Sequence, residues 1–143
     1  MRKAYLALQK KHQEDISNFP IAYAFSTDQY EEALEKLGAK PEECVTVFGH
    51  GDIMKKENVK PFLQMLKEHE QELKEAMKNE EFAEAAFRYE MDNHEYALNY
   101  DGDDDVLRCF TMRFEDLERL GLKEAYLRAK RKHMKYFENL GLI

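Results

Sequence analysis

Tryptophan is absent from this sequence, and proline and glycine are scarce, at 3 and 6 among 143 residues. So few turn-formers leave little room for an all-β design or for a flexible linker between domains. Long hydrophobic runs are missing too. The longest uncharged apolar stretch, Phe19 to Ser26, is far too short to cross a bilayer, which takes about 20 residues. The two cysteines, Cys44 and Cys109, have no spacing that demands a disulfide. With no signal peptide they read as reduced thiols of a cytoplasmic protein. No glycine-rich phosphate loop, Gly-x-Ser-x-Gly, His-Glu-x-x-His or Cys-x-x-Cys occurs. The usual routes to nucleotide chemistry, serine hydrolysis and zinc binding therefore lack their residues.

What is there argues for a folded globule. The hydrophobic fraction is 43%, with 9 Phe and 8 Tyr, enough for one domain, residues 1–143, with a real core. The net charge is −7 and unevenly placed. Between Lys67 and Asp105 fourteen acids face four bases. From Arg128 to Lys135 there are five bases and no acid. Such a balance makes nucleic acid an unsuitable partner for the chain as a whole. The basic strip reads as a solvated face, or as lying against the acidic region of its own chain or of a second copy.

The organising stretch is Pro61 to Asp105. Phe62, Leu66, His69, Leu73 and Met77 step by three or four and line one helical face, with Pro61 assigned to the first turn. The pattern falters at Asn79 and resumes at Phe82, Ala86, Tyr89, Asn93 and Tyr96, which predicts a break near Asn79. Before it, Arg2 to Ser17 reads as a helix that Asn18-Phe19-Pro20 ends. Ile21 to Phe25 reads as a buried strand, Ser26 as the cap of a helix that Gly38 stops, and Cys44 to Phe48 as a strand turning at Gly49 and Gly51 into Ile53-Met54. After it, residues 106–112 have no settled character. Thr111 is a candidate cap for a short helix carrying Phe114, Leu117 and Leu120, and Leu122 to Leu140 is the last helix. The fold expected is α+β and mostly helical, with a small antiparallel sheet of two or three strands packed on the long central helical stretch. The predicted core is Tyr5, Leu8, Phe25, Leu34, Val45, Val47, Leu66, Leu73, Phe82, Ala86, Leu117, Tyr126 and Phe137.

Asn18-Phe19-Pro20, Ala24-Phe25-Ser26, Leu37-Gly38, Gly49-His50-Gly51, and above all Asn93-His94-Glu95-Tyr96 followed by Tyr100-Asp101, are spread over most of the chain. In these pieces the sequence resembles an uncharacterised family of small proteins commonly encoded by bacteriophages and by gut bacteria that carry them. The resemblance implies an origin and no mechanism.

Four chemical leads remain. His94 and Glu95, with Asp101, Asp103 and Asp105, combine ligand and acid–base groups, although a calcium loop lacks its glycine at Val106 and its glutamate at Met112. The bland reading makes Asn93 and His94 a helix end and Asp103 to Asp105 a cap. His12, His69 and His133 lie in the apolar stripes of three helices and would meet only if those helices converge. Cys44 or Cys109 beside a histidine would make a nucleophile. The basic strip is the fourth.

The expectation is a small acidic interaction protein without metal or cofactor. It binds a host or viral protein through Asn93, His94, Glu95, Tyr96, Tyr100, Asp101, Asp103, Asp104 and Asp105, with Asn93 turned inward to fix the segment and the tyrosines as anchors. The alternative is a small metal-dependent enzyme centred on His94 and nearby carboxylates.

Overall fold

The computed structural model describes residues 1–98 and 101–143. Among them are seven α-helices and one three-stranded antiparallel sheet, so the fold is a mostly helical α+β one. The chain divides into two compact units, residues 1–9 with 72–143, and residues 10–71.

In the order of the chain, α1 spans Arg2–Ser17 and β1 Ala22–Tyr23. Helix α2 spans Thr27–Leu37. Strands β2 and β3 are Cys44–Val45 and Asp52–Lys55, and α3 is Lys56–Met77. Then come α4, Glu80–Asn93, and α5, Gly102–Arg108. The last two are α6, Asp116–Arg119, and α7, Lys123–Asn139.

Local signals place several boundaries. The Ser26 hydroxyl accepts the Gln29 N–H, and the Gln29 side chain accepts back from Phe25 N–H, one residue earlier than a standard capping box. Gly38 ends α2 in the left-handed conformation at φ 62°. The expected break at Asn79 is a cap: its side chain accepts from Phe82 N–H and starts α4. Pro61 departs from its assignment. Lys56 already begins α3, so the proline lies inside the helix.

In the unit of residues 10–71, β3 is the central strand. Ala22 pairs with Ile53 and Val45 with Met54. Ala33 on α2 packs with Ala22 and Ile53, and Leu37 closes over them. Phe62 on α3 is buried against Phe19 and the edge of Phe48. The strands are shorter than the sequence predicted. Residues 46–51 leave the ladder because the buried Asp52 carboxylate gathers them. It accepts from Thr46 Oγ1 and from the Val47, Phe48 and His50 amides. Burial by itself would raise the Asp52 pKa; these bonds outweigh it and hold the group at about 2. The predicted core residue Phe25 is corrected: it is 77% exposed, because β1 ends at Tyr23 and the chain turns outward to cap α2.

In the other unit, α4 buries Phe82, Ala83, Ala86, Phe87, Glu90 and Met91 on one wide face. Against it α7 turns Ala125, Tyr126, Ala129 and His133. Alanines on both faces allow close approach, and Tyr5, Val106, Leu107, Phe110, Leu117 and Leu122 complete the core. Leu8 and Leu73 pack on it half-buried, and Leu34, Val45, Val47, Leu66 and Phe137 are half-buried as well. The unsettled residues 106–112 start inside α5 and supply Val106, Leu107 and Phe110 to the core. Thr111 takes φ 55° and is not the cap of α6, which starts after Glu115; of Phe114, Leu117 and Leu120 only Leu117 is buried.

Candidate functional site

The end of α4 and the chain that follows it carry the densest polar chemistry. Glu90 continues the buried row Phe82–Ala86 one turn further, so helical spacing alone brings a carboxylate inside, 3% exposed. One of its oxygens, Oε1, accepts from Tyr5 Oη at 2.9 Å and Gln9 Nε2 at 3.2 Å. The other, Oε2, faces outward. His94 stands one turn on, with Nε2 3.3 Å from Oε2. Cys109, at the C-terminal end of α5, sets its Sγ 3.2 Å from the same His94 nitrogen and 3.4 Å from Glu90 Oε2. Glu90, His94 and Cys109 are the one group of three ligand-bearing residues close enough to share an ion among the described residues.

The sequence weighed a cysteine–histidine nucleophile, and Cys109 does lie beside a histidine. Its environment does not activate it. Burial, and after it the Glu90 charge, pushes the thiol up to about 12, the opposite of what a thiolate nucleophile needs. Both neighbours face the same His94 nitrogen, Nε2, whereas a relay carries its orienting carboxylate on the far side of the ring.

Next to this group lies a second polar network. Tyr96 donates to Asp103 Oδ1 at 2.8 Å, and the Tyr126 hydroxyl donates to the same oxygen. The Lys130 ammonium lies over the Tyr96 ring, 5.7 Å from its centroid. Burial pushes both phenols upward, so both stay donors. Gly102 is required here: a Cβ would stand 2.7 Å from the Tyr96 ring. His133, fully buried, bonds Asp92 Oδ1 through Nδ1 at 3.0 Å and accepts the Ala97 N–H at Nε2 at 3.3 Å. That backbone bond places the ring proton on Nδ1.

The model of a family of unknown function, DUF7659, matches residues 4–140. The chain belongs to that family. No curated protein and no solved structure matches it.

In this DUF7659 chain the expected recognition residues divide. Asn93, Glu95, Asp101 and Asp104 are exposed. Tyr96 is buried and Asp103 half-buried in the tyrosine network. Asp105 is half-buried near Arg108, and His94 belongs with Glu90 and Cys109. Tyr100 lies outside the described residues. The inward Asn93 is corrected: it is the last residue of α4 and points to solvent, and His133 and Tyr96 fix the following turn instead. Asp103 to Asp105 do not cap α5, whose start makes no side-chain capping bond.

Of the three stripe histidines, His12 and His69 lie in the unit of residues 10–71 and His133 in the other. His12 stacks on His69 with ring centroids 4.1 Å apart, and His69 Nε2 lies 2.9 Å from Asp15. Both nitrogens of His133 are already occupied. The basic strip meets acids of its own chain: Arg128 reaches Glu80 and Glu84, and Lys132 lies 2.8 Å from Glu84, which lowers the Glu84 pKa.

Sequence reasoning missed Glu90 and Cys109 as neighbours of His94. The Glu90–His94 spacing of four, with the acid in a buried stripe, was the available signal for the first. Nothing local signalled the second.

Proposed function

We propose that the protein is a small cytoplasmic interaction protein that holds a basic protein partner on the turn after α4. The observation that carries this reading is the turn itself. Glu95 takes a left-handed backbone at φ 51° and accepts the Leu98 N–H. Ala97 is held by the buried His133, and Tyr96 by Asp103. A turn pinned on two sides presents the Glu95 carboxylate and the Leu98 side chain, 61% exposed, in set directions, with Asp104 exposed on α5. Preorganised groups lose little freedom on binding, and acids around an apolar anchor suit a basic partner. Of the two tyrosines first given the anchoring role, Tyr96 and Tyr100, Tyr96 is buried, and Leu98 takes its place as anchor. The resemblance to bacteriophage proteins suggests a host or viral partner, and an acidic face that imitates nucleic acid in a basic groove would act as an inhibitor.

The test is capture of partners from the native host by the wild type and by Glu95→Gln/Asp104→Asn. The double variant should fold with stability within about 0.5 kcal/mol of the wild type. It should lose a partner whose capture by the wild type weakens as salt rises. A partner kept equally by both proteins would overturn the reading.

A further inference from the structure

We infer that Glu90, His94 and Cys109 form a binding site for a divalent transition-metal ion of the zinc class. Cys109 Sγ, His94 Nε2 and Glu90 Oε2 lie 3.2, 3.3 and 3.4 Å apart in pairs. Zinc binds sulfur at about 2.3 Å and imidazole nitrogen or carboxylate oxygen at about 2.0–2.2 Å, so neighbouring corners of its tetrahedron stand roughly 3.3–3.6 Å apart. The three atoms already occupy three such corners to within a few tenths of an ångström.

The donor set points the same way. A thiolate, an imidazole and a carboxylate are the mixed soft and borderline ligands that zinc, cobalt(II) and iron(II) accept, whereas calcium and magnesium take oxygen shells. The ion displaces the Cys109 proton as it binds, and the resulting thiolate and the carboxylate carry two negative charges, which balance a divalent ion in a half-buried place.

The surroundings are those of a built site. Glu90 is almost wholly buried, and its remote oxygen is held by Tyr5 and Gln9. Such outer bonds aim a ligand and fix its orientation. His94 caps the C-terminal end of α4 and its N–H bonds the Glu90 carbonyl one turn back at 2.9 Å, so the helix end sets their separation before any ion arrives, and α5 brings Cys109 to them. His94 is about one-third exposed and Cys109 lies at the surface, so the fourth corner opens to solvent. Three protein ligands with one open position is the arrangement that lets an ion take a water or a substrate atom. The site is separate from the Glu95–Leu98 turn in its residues and its chemistry, and each stands or falls without the other.

The experiment adds cobalt(II) alone to the full-length reduced protein and reads the near-ultraviolet thiolate-to-cobalt charge-transfer band. It then measures zinc uptake against a chromophoric chelator. One equivalent of cobalt should produce the band. Cys109→Ser should abolish it, and Cys44→Ser should keep it. His94→Ala should weaken zinc binding at least tenfold. Circular dichroism confirms that each variant is folded; because His94 and Cys109 sit at the surface, their substitution leaves the core intact. Absence of the band in the wild type, or a band of equal strength in Cys109→Ser, would overturn the inference.

Discussion

Whole rings fill the interior of the unit made by residues 1–9 and 72–143: Tyr5, Phe87 and Tyr126 are buried almost to the last atom. They meet edge to face, Phe87 on Tyr126 at 5.1 Å and Tyr5 on Phe82 at 5.9 Å between centroids. The unit of residues 10–71 buries Phe62 and Met54, but its sheet is closed mainly by Ala22, Ala33 and Ile53. Apart from the half-buried Phe19, its other aromatics stand out, with Tyr23 at 57% and Phe48 at 51% exposure. Burial of apolar area stabilises at about 25 cal/mol per Å², so rings hold the first unit with many contacts per residue. Alanines cannot do the same for the second. It relies instead on one buried carboxylate that gathers a whole loop, and on caps. Each unit thus has a different point of failure.

Truncating a ring should have the largest effect. Phe87→Ala should cost about 3–5 kcal/mol, measured as a fall in denaturant midpoint at unchanged slope. Ile53→Ala in the thin core should fall at the lower end of roughly 2–5 kcal/mol, since its site is already partly open. Equal losses would erase the contrast between the interiors.

Asp52→Asn comes next. An amide in place of the carboxylate removes acceptor capacity from the Val47, Phe48 and His50 amides, at about 1–3 kcal/mol. Hydrogen exchange over residues 46–51 should speed up while exchange in α4 stays slow. The pH dependence follows from the lowered pKa. The group is held at about 2, against an ordinary value of 3.8. Its stabilisation is therefore complete above about pH 4 and is lost as pH falls from there toward 2. The wild type should lose its advantage over Asp52→Asn across that window; a constant difference would mean the loop does not depend on the charge.

The smallest effect belongs to Phe25. Replacing this exposed ring by serine should change stability by no more than about 0.5 kcal/mol. A thermal shift of many degrees would show that the ring is part of the interior, and the second unit would then resemble the first.

Much of the fold was legible because its signals are local. Asn79 captures an amide three residues on, Gly38 tolerates a left-handed φ, and Ser26 with Gln29 satisfies a helix start; none of these needs the rest of the chain. Stripes such as Phe82–Ala86 and Tyr126–Ala129–His133 are also visible by period. Strand lengths were not, because a loop that bonds to Asp52 and a loop that continues a ladder can have the same composition. Phe25 shows the same limit: hydrophobicity names candidates for burial, and position decides among them.

For the site, the sequence by itself determined that Glu90 and His94 come side by side at the end of α4, because 3.6 residues per turn puts residues four apart next to one another. It also determined that a cluster of acids follows. Only the tertiary structure decided which groups those residues meet. Asp103 is drawn in by two tyrosines, Tyr126 reaching it from α7. Cys109, fifteen residues beyond His94, comes within 3.2 Å of it because α5 packs back on α4. Contacts of that kind are set by how helices pack, and the pattern of one helix does not contain the position of the next.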